Sequence, residues 1–178
     1  MLSVITIVGH SNSGKTTLIE KLIPELKRRG YRIGTIKHTS RGFSMDHPGK
    51  DTDRHRKAGA DTVMAASPGM IAMVKSTDHD DLESLLSWFQ DVDIVLAEGF
   101  KNENQPKIEV VRLQIDQSPL FLDDPMLAAI VTDAPLNVKT PVYHCDAIPA
   151  ICDMIEKNRT AWSRPALSGQ YRQNGTSS

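Results

Sequence analysis

The chain has 178 residues, 39% hydrophobic and 24% charged, with a formal net charge of −1. That suits one water-soluble domain long enough to bury a sizeable core. No apolar run approaches the roughly 20 residues that span a bilayer, which argues against a membrane protein. Two cysteines, Cys145 and Cys152, make no disulfide framework and are expected as reduced thiols of a cytoplasmic protein rather than metal ligands.

In chain order, the opening MLSVITIVGH lacks the basic start of a signal peptide, and SVITIVG (3–9) reads as a buried strand bounded by Gly9. TTLIEKLIPELKRRG (16–30) places apolar residues at helical spacing and stops at Gly30; Pro24 inside it is expected to kink or split the helix. A second strand follows at 31–39, then a loop rich in Gly, Pro, Ser and Asp at 40–53, then a short helix at 54–60. Residues 61–67 and 69–76 read as two strands joined across Pro68 and Gly69, and 78–90 as an amphipathic helix with acids in its first turn. Strands are expected at 92–99, 106–113 and 127–133, and a last helix at 147–158. From Arg159 the composition turns polar, so 1–158 is expected to form the domain and 159–178 a disordered tail.

Charge is unevenly placed. Residues 27–57 hold ten Lys or Arg against three Asp, +7 in all, which leaves −8 for the rest. Such a region favours an anionic ligand or an acidic partner, although Lys27 to Arg29 also suit the solvated last turn of a helix. Nucleic acid is not indicated, because the basic residues are not interleaved with aromatics, which make up 5% of the chain.

Strands alternating with helices, several of them apolar throughout, indicate an α/β fold with a mostly parallel sheet flanked by helices. The middle section does not fit simple alternation and is expected to add a few antiparallel strands. Directly after the first strand, GHSNSGKT (9–16) fits the phosphate-loop pattern of P-loop NTPases. Backbone N–H groups of Ser11 to Thr16 can curl around a β-phosphate, Gly9 and Gly14 permit the turn, Lys15 reaches the β- and γ-phosphates, and the Thr16 hydroxyl is a magnesium ligand. A carboxylate from a neighbouring strand then completes the site, and ligands in open parallel sheets lie outside the carboxyl ends of strands. In VDIVLAEGFK (92–101) Asp93 stands at the wrong end, whereas Glu98 stands at the right one. Glu98 is therefore the candidate metal ligand, the alternative being an ion pair with a nearby Lys.

GHSNSGKTTL, IKHT (36–39), DHPGKDTDRHRKAGAD (46–61) and AEGFK (97–101), in this order and spacing, resemble the molybdopterin-guanine dinucleotide biosynthesis protein B family. The phosphate loop is shared with many NTPases; the PGKD…RHRKAGA segment followed by EGFK is the selective part. The resemblance spans about residues 2–145. It implies binding of GTP and Mg2+, weak intrinsic hydrolysis, and a homodimer built partly by the extra strands. It also implies an adapter role beside the guanylyltransferase that attaches GMP to molybdopterin, and beside a molybdenum insertion enzyme. By position, Gly9, His10, Ser11, Asn12, Ser13, Gly14, Lys15, Thr16 and Thr17 hold the phosphates, and Lys15 and Glu98 are the residues expected to act on them. Lys37, His38, Asp46, Lys50, Asp51, Arg54, Arg56 and Lys101 would lie near the phosphates or a second, pterin-type ligand. One departure is TSRGFSMD after Lys37-His38, with Arg41 and no second His, which puts any histidine-pair role there in doubt.

VTD (131–133) closes a strand where regulatory GTPases read guanine with an Asp, normally within N-K-x-D. Asp133 stands here without the Asn-Lys, as a candidate guanine reader or as a turn residue. No hydrolytic glutamine or nucleophile is visible, so slow turnover is expected. The alternative activity on the same loop is a small kinase acting on a nucleoside or pterin-type substrate, which normally brings an Arg-rich lid between later helices.

Overall fold

The computed structural model of the chain describes residues 1–115 and 118–164. In chain order these form β1 (Leu2–Gly9), α1 (Lys15–Arg28), β2 (Ile33–Lys37), α2 (Asp51–Lys57), β3 (Thr62–Ser67), β4 (Met70–Lys75), α3 (Leu82–Leu86), β5 (Ile94–Glu98), β6 (Lys107–Val111), β7 (Leu127–Thr132), β8 (Val142–His144), α4 (Ile148–Asn158) and β9 (Ser163–Arg164). A 3₁₀ turn at Leu113–Ile115 follows β6. The described residues fall into two compact units: Met1–His38 with those from Leu85 to Arg164, and Thr39–Ser84.

In the first unit β1 is buried from Ser3 to Gly9, so it has no solvent face and belongs inside a sheet. The sheet order is β2-β5-β1-β6-β7-β8, every neighbouring pair parallel. Alternation along the strands puts Ile5, Ile7, Ile94, Leu96, Ile108, Val110, Ala129 and Val131 in one cluster with Leu18, Ile19, Leu22 and Leu26 of α1 and Ile151, Cys152, Met154 and Ile155 of α4. Each large aliphatic side chain buried there stabilises the fold by about 1.5–3 kcal/mol. The sheet thus fixes the height at which Glu98, Gly9 and Asp133 leave the core.

Several expectations need correction. Helix α1 runs unbroken through Pro24. Its Leu18-Ile19-Leu22-Leu26 face is held on the sheet on both sides of Pro24, and that packing outweighs the lost backbone donor. Arg29 is not part of a solvated last turn. Its side chain is only 14% exposed and bonds Glu25 at 2.8 Å, Asp153 at 2.7 Å, Glu156 and the Pro149 carbonyl, tying the end of α1 to α4. Helix α3 covers five residues rather than 78–90. The Asp81 carboxylate accepts the Ser84 N–H at 2.9 Å, an N-cap that starts the helix only at Leu82. Strand β8, three residues long, was not expected. Residues 159–164, expected to begin a disordered tail, are ordered: β9 pairs antiparallel with the start of β1, and Trp162 packs on the core. The rest of that tail lies outside the described residues.

In the second unit α2 precedes an antiparallel hairpin in which Thr62 faces Lys75 and Ser67 faces Met70. This is the expected antiparallel addition, formed as a separate two-stranded sheet. Asp53 of α2 is buried and accepts the Gly49 N–H at 2.8 Å, Arg56 at 2.9 Å and Lys57 at 2.7 Å. The Gly49 N–H, then the Lys57 ammonium, hold its carboxyl down at about 2.

Candidate functional site

The turn between β1 and α1 forms a cradle. Gly9 has φ 135, and a Cβ there would lie 2.3 Å from the Val110 carbonyl oxygen, so only glycine fits. Asn12 (φ 61) and Gly14 (φ 96) are left-handed, which folds the loop back on itself, and the Ser13 N–H closes it on the His10 carbonyl at 3.3 Å. Helix α1 has no side-chain cap and no acid in its first turn. Its unpaired N–H groups therefore carry the positive end of the helix dipole into the cradle. The Ser13 hydroxyl is buried and has no hydrogen-bond partner among the described residues. An orphaned buried hydroxyl beside unpaired N–H groups fits an anion of phosphate size.

Lys15 is folded over the loop, its Nζ donating to the His10 carbonyl at 2.6 Å and the Gly9 carbonyl at 3.4 Å. Burial lowers its pKa, Glu98 opposes this, and Lys101 and Lys37 add to the lowering. Three ammonium groups thus share one field, which an anion would relieve.

Strand alternation carries Ile94, Leu96 and Glu98 to the α1 face of the sheet. Register sets Glu98 opposite Ile7 on one side and Lys37 on the other. There Glu98 Oε2 accepts the Thr16 hydroxyl at 2.9 Å, and Oε1 pairs with Lys37 Nζ at 3.3 Å. Of the two alternatives for Glu98, the ion pair with a lysine is formed, with Lys37, and the Thr16 hydroxyl lies against the same carboxylate. A hydroxyl and a carboxylate in contact at a phosphate loop form the oxygen set that a hard divalent cation takes, so the residues fit Mg2+. Asp93 lies at the opposite strand end, bound to the Arg32 N–H at 2.9 Å and to its guanidinium.

Beyond Glu98 the chain turns through two left-handed residues, Gly99 (φ 96) and Phe100 (φ 53). Phe100 is buried, with the His38 ring 4.9 Å away. His38 and Lys37 thus flank the strand end, and Lys101 is exposed after it. Of the other residues expected at a second ligand, Asp46, Lys50, Asp51, Arg54 and Arg56 belong to the second unit. There Asp46 accepts the Thr52 hydroxyl at 2.9 Å, Arg54 faces Asp51 at 3.6 Å, and Arg56 is committed to Asp53. Lys50 is the N-cap residue of α2.

In the loop, His10 Nε2 meets the Ser118 carbonyl at 3.1 Å, while Ser11 and Thr17 are exposed. Asp133 directly follows β7, with both carboxylate oxygens engaged. Oδ2 accepts Arg112 Nε at 2.8 Å and Oδ1 accepts the Leu113 N–H at 2.9 Å, and the side chain is 8% exposed. Two residues near the loop were missed. Arg112, just after β6, approaches the cradle, its Nη1 4.0 Å from where a Gly14 Cβ would sit. Glu109, buried in β6, accepts the Leu120 and Phe121 N–H groups at 2.6 and 3.2 Å, and burial raises its pKa. The signal for Glu109 was available, since an acid inside PKIEVVRL has no solvent side.

His144, Cys145 and Asp146 bring ligand atoms within 4.8 Å of one another. Lys21 Nζ already sits 2.7 Å from Asp146 Oδ1, so this turn is accounted for as an ion pair. Both cysteines are free, and burial pushes the Cys152 thiol up to about 11.

Residues 4–133 match the family described as molybdopterin guanine dinucleotide synthesis protein B. The chain is 38% identical over 158 residues to a molybdopterin-guanine dinucleotide biosynthesis adapter protein of Haemophilus influenzae, covering 87% of this chain and 88% of that protein. It is 35% identical over 162 residues to the Escherichia coli protein of the same description, covering 87% and 92%. Its fold matches a crystal structure of Bacillus subtilis MobB with a TM-score of 0.69 at 26% identity, covering 87% of this chain and 96% of that one.

Proposed function

The chain belongs to the molybdopterin guanine dinucleotide synthesis protein B family, and on that premise we propose that it is a GTP- and Mg2+-binding adapter in the assembly of molybdopterin guanine dinucleotide. Relatives described as adapter proteins support the pathway. The observation that carries the nucleotide reading is the Thr16–Glu98 contact of 2.9 Å beside the orphaned Ser13 hydroxyl.

In this reading the cradle N–H groups and Ser13 take the phosphate oxygens, and Lys15 leaves the His10 carbonyl for the terminal phosphates. Thr16 and Glu98 would be the residues to hold the metal, directly or through water, with Lys37 orienting the carboxylate. A Mg2+ held there would supply positive charge against the phosphates. Turnover is slow in this reading, since none of the residues that form or flank the cradle among those described, Gly9 to Thr17, Lys37, Glu98 and Lys101, is a glutamine.

The adapter works in the cytoplasm as a homodimer. The β3–β4 hairpin leaves Met64, Met70 and Ile71 more than half exposed, at 58%, 68% and 69%. A two-stranded sheet with unpaired edges is marginal alone and gains by pairing with a second copy. Lys37, His38 and Lys101 of the first unit serve the phosphate of molybdopterin, and the basic residues of the second unit serve, on their own, the surface of the guanylyltransferase or the molybdenum insertion enzyme. Calorimetric titration tests the proposal. GTP with Mg2+ binds once per chain and more tightly than ATP; equal affinity for both nucleotides, or none for either, defeats it.

A further inference from the structure

Asp133 occupies the position where a guanine-reading carboxylate is expected, yet its geometry is that of a brace. Both oxygens are taken, by Arg112 Nε and the Leu113 N–H, and its side chain is 8% exposed. Guanine N1–H and its 2-amino group would need both oxygens and open space beside them. Arg112 is arranged the other way. Its side chain is 42% exposed, and its Nη1 lies 4.0 Å from the position of a Gly14 Cβ, at the rim of the cradle. Among the described residues its two terminal nitrogens carry no hydrogen bond, because the carboxylate holds the guanidinium by Nε alone.

We propose that Arg112 is the residue that distinguishes guanine, by donating from its terminal nitrogens to O6 and N7, and that Asp133 is a positioning residue for it. This rests on the guanine-nucleotide reading of the cradle given above. A guanidinium is a planar, permanently charged fork of donors, and O6 with N7 is the matching pair of acceptors on guanine. Adenine offers N7 beside an amino donor, which opposes the second nitrogen of the fork. Such a device needs no Asn-Lys pair, which this chain lacks before Asp133. It needs a strand-end arginine held at a fixed height above the loop. Parallel pairing of β6 with both β1 and β7 supplies that height, with Gly9 opposite Val110 and Val111 opposite Thr132.

Base analogues separate the two edges of guanine on the unmodified protein. ITP keeps O6 and N7 and lacks the 2-amino group, whereas 7-deaza-GTP keeps the 2-amino group and lacks N7. Competition against a fluorescent GTP analogue is expected to rank ITP close to GTP. It is expected to rank 7-deaza-GTP roughly tenfold or more weaker, the loss of one hydrogen bond to a charged donor. Arg112→Lys keeps the charge and removes the fork, so it is expected to bind nucleotide triphosphates and lose the preference for GTP over ATP. The reverse ranking, with ITP weakened and 7-deaza-GTP unchanged, assigns the reading to the opposite edge and overturns the inference, as does an Arg112→Lys protein that retains the preference. Failure of the wild type to bind GTP overturns the guanine reading and this inference together; GTP binding with the wrong analogue ranking overturns this inference alone.

Discussion

Replacing Glu98 by Gln isolates the metal-holding role from the fold. The amide is nearly the shape of the carboxylate and can still accept the Thr16 hydroxyl, now at 2.9 Å from Oε2. The other contact, with Lys37 Nζ at 3.3 Å, involves a lysine whose side chain is 65% exposed, and such pairs are worth about 1 kcal/mol or less. Glu98→Gln is therefore expected to fold with a stability within about 1 kcal/mol of the parent. What it loses is the negative charge that the proposed role sets against a hard cation. A hydrogen bond or contact to a charged group contributes about 1.5–3 kcal/mol, so the affinity for GTP in Mg2+ is expected to fall roughly 10- to 150-fold. In EDTA the affinity is expected to hold or to rise, because a negative charge beside the phosphates has gone. Calorimetric titration in the two buffers reads the difference directly. An equal loss of affinity with and without the metal would refute the assignment and make Glu98 a support for Lys37.

Three further outcomes follow from the geometry. Gly9→Ala brings a Cβ within 2.3 Å of the Val110 carbonyl oxygen at φ 135, and is expected to cost about 2 kcal/mol or more in denaturant unfolding and to abolish nucleotide binding; an unchanged midpoint would contradict the packing of β1 on β6. Asp53, held down at about 2 against an unfolded value near 3.9, contributes stability that is present above pH 4 and is lost as pH falls through 2. Protection of residues 46–58 against hydrogen exchange, taken relative to the intrinsic rate at each pH, should therefore fall across that window in the wild type and change little there in Asp53→Asn. Ile71→Asp places a charge on an exposed apolar strand, and sedimentation is expected to shift from dimer to monomer with helix content retained; a persistent dimer would move the interface elsewhere.

The phosphate loop was legible because its demands are backbone demands: glycine where φ is positive, a strand before it and a helix after it. The place of Glu98 was legible because alternation along VDIVLAEG assigns one face to the core and leaves the strand's exit beside the loop after β1. The fold class followed from strands apolar on both faces. The missed elements have local physical causes. An Asp81 cap delays α3, three residues suffice for β8 beside a long β7, and β9 forms only because the start of β1 offers a vacant neighbour. Arg112 and Asp53 escaped for a different reason. Nothing local separates an arginine that braces a carboxylate across two strand ends from one in solvent, nor Asp53 from the exposed Asp51 two residues before it. Asp133 directly follows β7, and its contacts with Arg112 and Leu113 join two strand ends that are far apart in sequence, which no local pattern shows.

The central claim, that Thr16 and Glu98 together hold the metal of a bound GTP, is tested most directly by a crystal structure with a non-hydrolysable GTP analogue and Mg2+. The account predicts the metal about 2.0–2.1 Å from the Thr16 hydroxyl, with the Glu98 carboxylate in contact with it or with one of its waters. A nucleotide seated in the cradle while Glu98 stays on Lys37 and the Thr16 hydroxyl turns away from the metal would contradict it.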